Sequence, residues 1–385
     1  MKYELKEEIN QLKKVYGYNK ITEIIDHKTI EFLKKSKLSN ILSINKREED
    51  LLSTTFKVCK ELGKTDLSLG WIVGVSNSAW PVLNFFNHKL NYNANLEENN
   101  LLSMVLGKPA KLQRLENNNG WMLNGHWKYA SNVENSSYFV GLAMEDDKEV
   151  HMVVIPSEKL NKIEGWKCAG LKGSVSITVE VKDYHITSDS TLNYKRINGI
   201  PPENTLHDLE ENIIMNPYAD YFSGVLMNCL TGSVLGATES AFELLLQLKD
   251  YPVVGTSYKN LISSGCMRSK IGSIYNQLQS LNDLAFINTR IIDEKVRQNK
   301  PPLSIEERIQ QKYRAHSIMK GCAHIIQSIL WLYGANGLHR ENPFEKIWRD
   351  INTATLHGGF SKETIQDQTG SYLLGGNPYE ISNII

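Results

Sequence analysis

Charge of one sign is what this chain most plainly lacks. Its 385 residues carry 43 Lys and Arg against 43 Asp and Glu. A nucleic-acid binder needs a positive surplus to displace counterions from phosphates, so the balance argues against that class. Cysteine is scarce as well. Cys59, Cys168, Cys229, Cys266 and Cys322 are odd in number, scattered and never arranged as CxxC. They read as reduced thiols of a cytoplasmic protein, and as neither a disulfide framework nor a zinc site. No apolar run approaches the roughly 20 residues needed to cross a bilayer. The start, "MKYELKEEINQLKK", is charged from its second residue, unlike a secretory leader. The usual phosphate and metal signatures are missing too: there is no GxGxxG, no P-loop and no HExxH. "GVSNS" lacks the second glycine of a nucleophile elbow, and the ten histidines do not fall at metal-ligand spacing. The expectation is a soluble cytoplasmic protein with no membrane, nucleic-acid or metal partner.

What is present divides into three regions: helices over 1–98, a β domain over 99–200 and a helical bundle over 201–385, an α+β fold. In "REEDLLSTTFKVCKELGK", Leu51, Leu52, Phe56, Val58, Cys59 and Leu62 fall near helical spacing, with Gly63 placed as a C-terminal cap. "SLGWIVGVSNSAWPVLNFF" is apolar and rich in small residues, which predicts a buried helix. The period then changes. In "WMLNGHWKYAS" the pair Asn124-Gly125 predicts a hairpin turn. "SYFVGLAM" and "VHMVVIPS" flank the charged turn "EDDKE". Val175, Ile177, Val179 and Val181 alternate as in a half-buried strand. After "GIPPEN" the pattern is helical again. Gly232 and Gly236, four apart, let a neighbouring backbone come close. Ser304 and Glu307 form a capping box that opens a helix ending at Gly334.

Four stretches in this order, "NGHWKYASN", "SYFVGLAM", "GWKCAGLKGSVSITVEVKDYHI" and "YGANGLHRENPFEKIWRD", resemble the acyl-CoA dehydrogenase superfamily. That family has an N-terminal helical domain, a middle β-barrel-like domain and a C-terminal four-helix bundle, and the resemblance implies the same here. Its dehydrogenase branch takes a proton from an acyl thioester with a Glu just after an Arg-Asp pair. Counting along "RDINTATLHGG" puts Gly358 in the place of that Glu and His357 in the place of the preceding Tyr. A glycine cannot be a base. Closer is the branch of oxygenase components of two-component flavin monooxygenases. Its members accept reduced flavin, FMN or FAD, from a separate NAD(P)H-dependent reductase. They react it with O2 to a C4a-hydroperoxide and hydroxylate a small aromatic substrate, or oxygenate the nitrogen of an amine or amino sugar. An acyl-CoA dehydrogenase with a displaced base is the third reading. A homotetramer is implied by the resemblance.

The same resemblance assigns residues. Ser131 takes the place of the hydroxyl that bonds the flavin near N5, where an acceptor that holds the N5 proton slows loss of H2O2; on residues alone it is a Ser closing a turn. His357 would bond or protonate the peroxide, since an imidazole near pKa 6.5 gives or takes a proton at working pH; a satisfied core histidine is the plain alternative. Alternation places Trp127, Tyr129 and Ser131 on one face along the flavin. Arg349 with Asp350 matches the family's Arg-Asp pair, a structural ion pair in the preferred reading. Arg268, Lys270 and Lys259 are the candidates for the flavin phosphate. Trp71, Asn77, Ser78, Trp80 and Phe85, with Ser76, would line the substrate pocket. No His stands in that stretch, which weakens activation of a phenol there and leaves room for an amine.

Overall fold

The computed structural model describes residues 2–17, 23–43, 46–84, 86, 99–116, 120–146, 149–193, 216–253 and 255–382. Among them the N-terminal helices are α1 (Tyr3–Tyr16), α2 (His27–Lys35), α3 (Leu51–Thr65) and α4 (Leu67–Leu83). All 17 residues of α4 are buried, as a helix apolar on every side requires. The N-terminus of α3 is capped from a distance. Its own Asp50 makes no side-chain cap, and Asp293 accepts instead from the amides of Leu52 (3.0 Å) and Ser53 (2.9 Å). Those amides are orphan donors that any helix start must satisfy.

The β domain is one seven-stranded sheet: β1 (Leu102–Arg114), β2 (Trp121–Ala130), β3 (Tyr138–Glu145), β4 (Glu149–Pro156), β5 (Asn161–Glu164), β6 (Ile177–Ile186) and β7 (Thr191–Asn193), in the order β5-β6-β2-β1-β3-β4-β7. The Asn124-Gly125 pair is not the expected turn. Strand β2 runs straight through it, and the β2–β6 register shifts between Leu123 and Gly125. Gly125 (φ +154°) makes a bulge where a Cβ would come within 2.7 Å of the Ala110 Cβ. Val175 also departs from the strand pattern: β6 begins at Ile177, and Val175 sits at φ 43°.

Beyond the sheet lie α5 (Phe222–Leu246), α6 (Gly265–Arg297), α7 (Ile305–Tyr333), α8 (Pro343–Ala354) and α9 (Lys362–Leu373). The capping box Ser304/Glu307 forms, and Gly334 ends α7 with φ 64°. α3 and α4 pack directly on α5, so the helices before and after the sheet share one core. Small residues allow this. A Cβ on Gly236 would stand 1.9 Å from the Lys60 carbonyl oxygen of α3, and one on Gly63 would stand 2.1 Å from that of Ser233. Gly63 is therefore a contact glycine inside α3, not its cap.

Candidate active site

Ser131 follows the last residue of β2 and is buried. Its backbone carbonyl accepts from Ser103 Oγ (2.8 Å), and its hydroxyl shares a hydrogen bond with Ser176 Oγ (2.8 Å). The Trp71 indole of α4 donates to the same hydroxyl oxygen (3.3 Å). The other side of this indole meets His357, ring centroids 5.6 Å apart and edge-on at 67°. One tryptophan thus joins the two residues that resemblance singled out, from ends of the chain 226 positions apart by number.

His357 is not on a helix. α8 ends at Ala354, and His357 starts a short turn, Gly358–Phe360, in which its Nδ1 accepts from the Gly359 amide (3.2 Å). With Nδ1 occupied as an acceptor, a neutral ring carries its proton on Nε2 and presents a donor. Burial among the surrounding protein pushes its pKa down to about 4. The residue nonetheless presents an exposed face to solvent, and water there weakens the shift. The direction, neutral at pH 7, is what the chemistry uses. Gly358 is not demanded by packing: a Cβ there meets nothing within 4 Å.

The loop opposite Ser131 is held under strain. Leu171 and Val175 both sit at positive φ (53° and 43°), costly for L side chains and worst for a β-branched one. Asp350 of α8 secures it by accepting from the Leu171 amide (2.7 Å). Asp350 and Asp66, the N-cap of α4, share the buried ammonium of Lys346 at 2.7 Å each. Burial, with the like charge of Asp66 alongside, pushes the Asp350 carboxyl up. Burial works against the Lys346 ammonium, but the two carboxylates outweigh it and raise its pKa. This triad ties α4, α8 and the 171–176 loop to one point.

The sequence profile described as "Acyl-CoA dehydrogenase, C-terminal domain" matches residues 229–362. The FADH(2)-dependent resorcinol hydroxylase, oxygenase component, of Rhizobium sp. (strain MTP-10005) is 20% identical over 338 residues, covering 83% of this chain and 80% of its own. XiaF from Streptomyces sp., solved in complex with FADH2 and glycerol, superposes with a TM-score of 0.84 at 18% identity, over 97% of this chain and 96% of XiaF. The 3-HSA hydroxylase of Rhodococcus sp. RHA1 gives 0.79 at 14% identity, over 97% and 96%. This is an acyl-CoA dehydrogenase-like fold, and the curated relatives that the chain resembles are oxygenase components or subunits of flavin-dependent hydroxylases and monooxygenases.

The residues present fit the flavin of such an oxygenase. Tyr129, 63% exposed with φ 68°, meets Trp166 edge-on at 5.7 Å and offers an aromatic wall beside Ser131. Trp127 does not share that face. The register slips between Trp127 and Ala130, breaking the alternation, and Trp127 is buried in the β core with its indole donating to the Leu142 carbonyl (2.9 Å). The polar residues of α4 are used up in bracing. Asn77 donates to the carbonyls of Leu38 (2.7 Å) and Val73 (2.9 Å), Ser78 bonds back to Gly74, Ser76 donates to the Ser39 carbonyl (2.8 Å), and Trp80 donates to that of Asn100 (3.2 Å). Trp71 is the α4 candidate bonded to Ser131 and in ring contact with His357, and Phe85 lies outside the described residues. Arg349 is bound on both sides, to Glu345 (2.6 Å) and Glu23 (2.9 Å), which makes it structural. Arg268, Lys270 and Lys259 are exposed. Among the described residues no hydrogen bond or ion pair links Arg268 or Lys259 to the Trp71 group.

Sequence reasoning missed Ser174, Ser176, Trp166, Lys346 and Asp66. Only the Asp-x-Ser start of α4 carried a local capping signal for any of them. One carboxylate–imidazole group lies elsewhere: Glu145, Glu149 and His151 on the β3–β4 pair. Arg114 already neutralises Glu145 there (2.9 Å). Among the described residues no helix is long and apolar enough to cross a membrane.

Proposed function

We propose that this oxygenase component takes reduced flavin from a separate NAD(P)H-dependent reductase and uses O2 to hydroxylate a small aromatic compound. The observation that supports it is the Ser131–Trp71–His357 arrangement. The bound flavin would supply the activation of oxygen; the chain supplies the proton control around it. Ser131 Oγ would accept a hydrogen bond from the N–H at flavin N5. His357, neutral with its proton on Nε2, would offer a donor to the oxygen side without adding charge. Tyr129 and Trp166 would flank the ring, and the Lys346 triad holds the loop that backs Ser131. Arg268 and Lys259 are offered to the flavin phosphate, and four copies of the chain form the assembly.

The carbon-acid alternative has little to work with. Gly358 has no carboxylate, and on α8 Glu345 and Asp350 are engaged by Arg349 and Lys346. Oxygenation of an amine or amino sugar is the second reading. It is favoured by the absence of an imidazole from α4, since an amine is already nucleophilic and needs no base to activate it.

Anaerobic loading with reduced FMN or FAD, followed by an oxygen pulse, tests the class. A transient absorbance distinct from both reduced and oxidised flavin, converted to product with a phenol or an amine panel, supports it. Immediate appearance of oxidised flavin and H2O2 with every substrate sinks it. Bleaching of oxidised FAD by an acyl-CoA would move the chain to the dehydrogenases.

A further inference from the structure

Three serines on the 171–176 loop and the end of β2 form a chain of hydroxyls whose proton order can be counted. A serine hydroxyl carries one proton and two lone pairs. Ser174 Oγ stands 2.7 Å from the Leu171 carbonyl oxygen, which can only accept, so the Ser174 proton is spent there. The bond between Ser174 and Ser176 (2.8 Å) must then use the proton of Ser176. The bond between Ser176 and Ser131 (2.8 Å) must use the proton of Ser131. The opposite order would leave two oxygens 2.7 Å apart with no proton between them. All three serines are buried, so bulk water does not scramble the order. The Asn132 amide fixes the register of the two segments by donating to the Ser174 carbonyl (2.8 Å). Ser131 is therefore left with no proton to give. One of its lone pairs takes the Trp71 N–H, and the other is free to accept.

We infer that Ser174 and Ser176 are positioning residues that lock the Ser131 hydroxyl as an acceptor and thereby make the site choose flavin by its redox state. Reduced flavin has a proton on N5 and satisfies an acceptor. Oxidised flavin has only a lone pair there, and two lone pairs facing each other repel. This rests on the flavin reading above and goes beyond it by naming the groups that set the selection.

The test is anaerobic fluorescence titration of the full-length protein with reduced and with oxidised FMN, giving the ratio of the two dissociation constants. The wild type binds reduced FMN more tightly. Ser176→Ala and Ser174→Ala each free a proton for Ser131 to donate, so the ratio falls about threefold to tenfold, the size of one hydrogen bond, mostly through tighter binding of oxidised FMN. Ser176→Thr keeps the relay and restores the ratio. Ser103→Ala removes a bond to the Ser131 backbone but leaves the proton order, and the ratio stays put. Wild-type preference with an unmoved ratio in both alanine variants overturns the relay alone, as does an equal shift in Ser103→Ala. Failure of the wild type to bind either form overturns the flavin reading and the relay together.

Discussion

A neutral imidazole at residue 357, with Nδ1 taken by the Gly359 amide, leaves a definite pH signature. Its folded pKa lies below the unfolded value near 6.5. The unfolded chain therefore binds the proton first as pH falls. The contribution of this group to stability is whole above about pH 6.5 and is lost as pH falls through the lowered folded pKa. His357→Asn removes the group, so denaturation midpoints of variant and wild type should converge between pH 7 and pH 5. In catalysis no inflection from His357 should appear between pH 7 and 8. His357→Ala should cut product formed per flavin oxidised by about 10²-fold or more, the usual size of a lost proton-handling group, with H2O2 taking its place. Undiminished coupling in that variant would remove His357 from the chemistry. Trp71→Phe makes a different case. It keeps an aromatic edge toward His357 but removes the N–H donor to Ser131, with an expected stability loss of about 1 kcal/mol in urea titration.

Elements carry the site because α4, α8 and the 171–176 loop meet at Lys346. Lys346→Met would leave Asp66 and Asp350 facing each other without a cation, and breaking a buried pair on one side costs about 3–5 kcal/mol. The deficit should shrink as pH falls, since protonating either carboxyl relieves it; thermal melts at pH 7.5 and pH 5 check this. A deficit that grows toward acid would mean that the carboxylates are stabilised by something other than Lys346. The same meeting point shows how far the sequence could be read. α7 was legible to the residue because its Ser304/Glu307 box and Gly334 are local chemistry. The nearness of Ser131 and His357 was legible only through resemblance. Asn124-Gly125 misled because a bulge and a turn ask for the same residues, and partner strands decide between them. Asn77 and Trp80 were ambiguous because a buried polar side chain looks the same in sequence whether it faces a ligand or braces a carbonyl 20 to 40 residues away. The triad was invisible because its three charges come from positions 66, 346 and 350 and pair only in three dimensions.

At the scale of the whole molecule, the helical side leaves large apolar groups in water: Trp331 (78% exposed) at the end of α7, Leu356 (85%) beside His357, and Leu373 and Leu374 (74% and 89%) at the end of α9. Scattered single exposures are ordinary on a monomer, but Leu356 is on the rim of the proposed flavin site, and Phe286 and Ile287 add to the exposed face of α6. A groove of about 630 Å³ between α6 and α7, lined by Gly272, Ser273, Gln277 and Gly321 among others, offers small residues where another helix could approach. A chain that covers these groups only on assembly should run as a homotetramer in light scattering at micromolar concentration. Trp331→Asp, on an exposed position where substitution within one chain costs under about 0.5 kcal/mol, should leave the circular dichroism unchanged while shifting the mass downward. If the neighbouring copy also closes the site, the same variant binds reduced FMN more weakly, and raising protein concentration restores the affinity, because assembly and binding are then linked by mass action. A monomeric wild type that binds reduced flavin with no dependence on its own concentration would show that one chain completes the site alone.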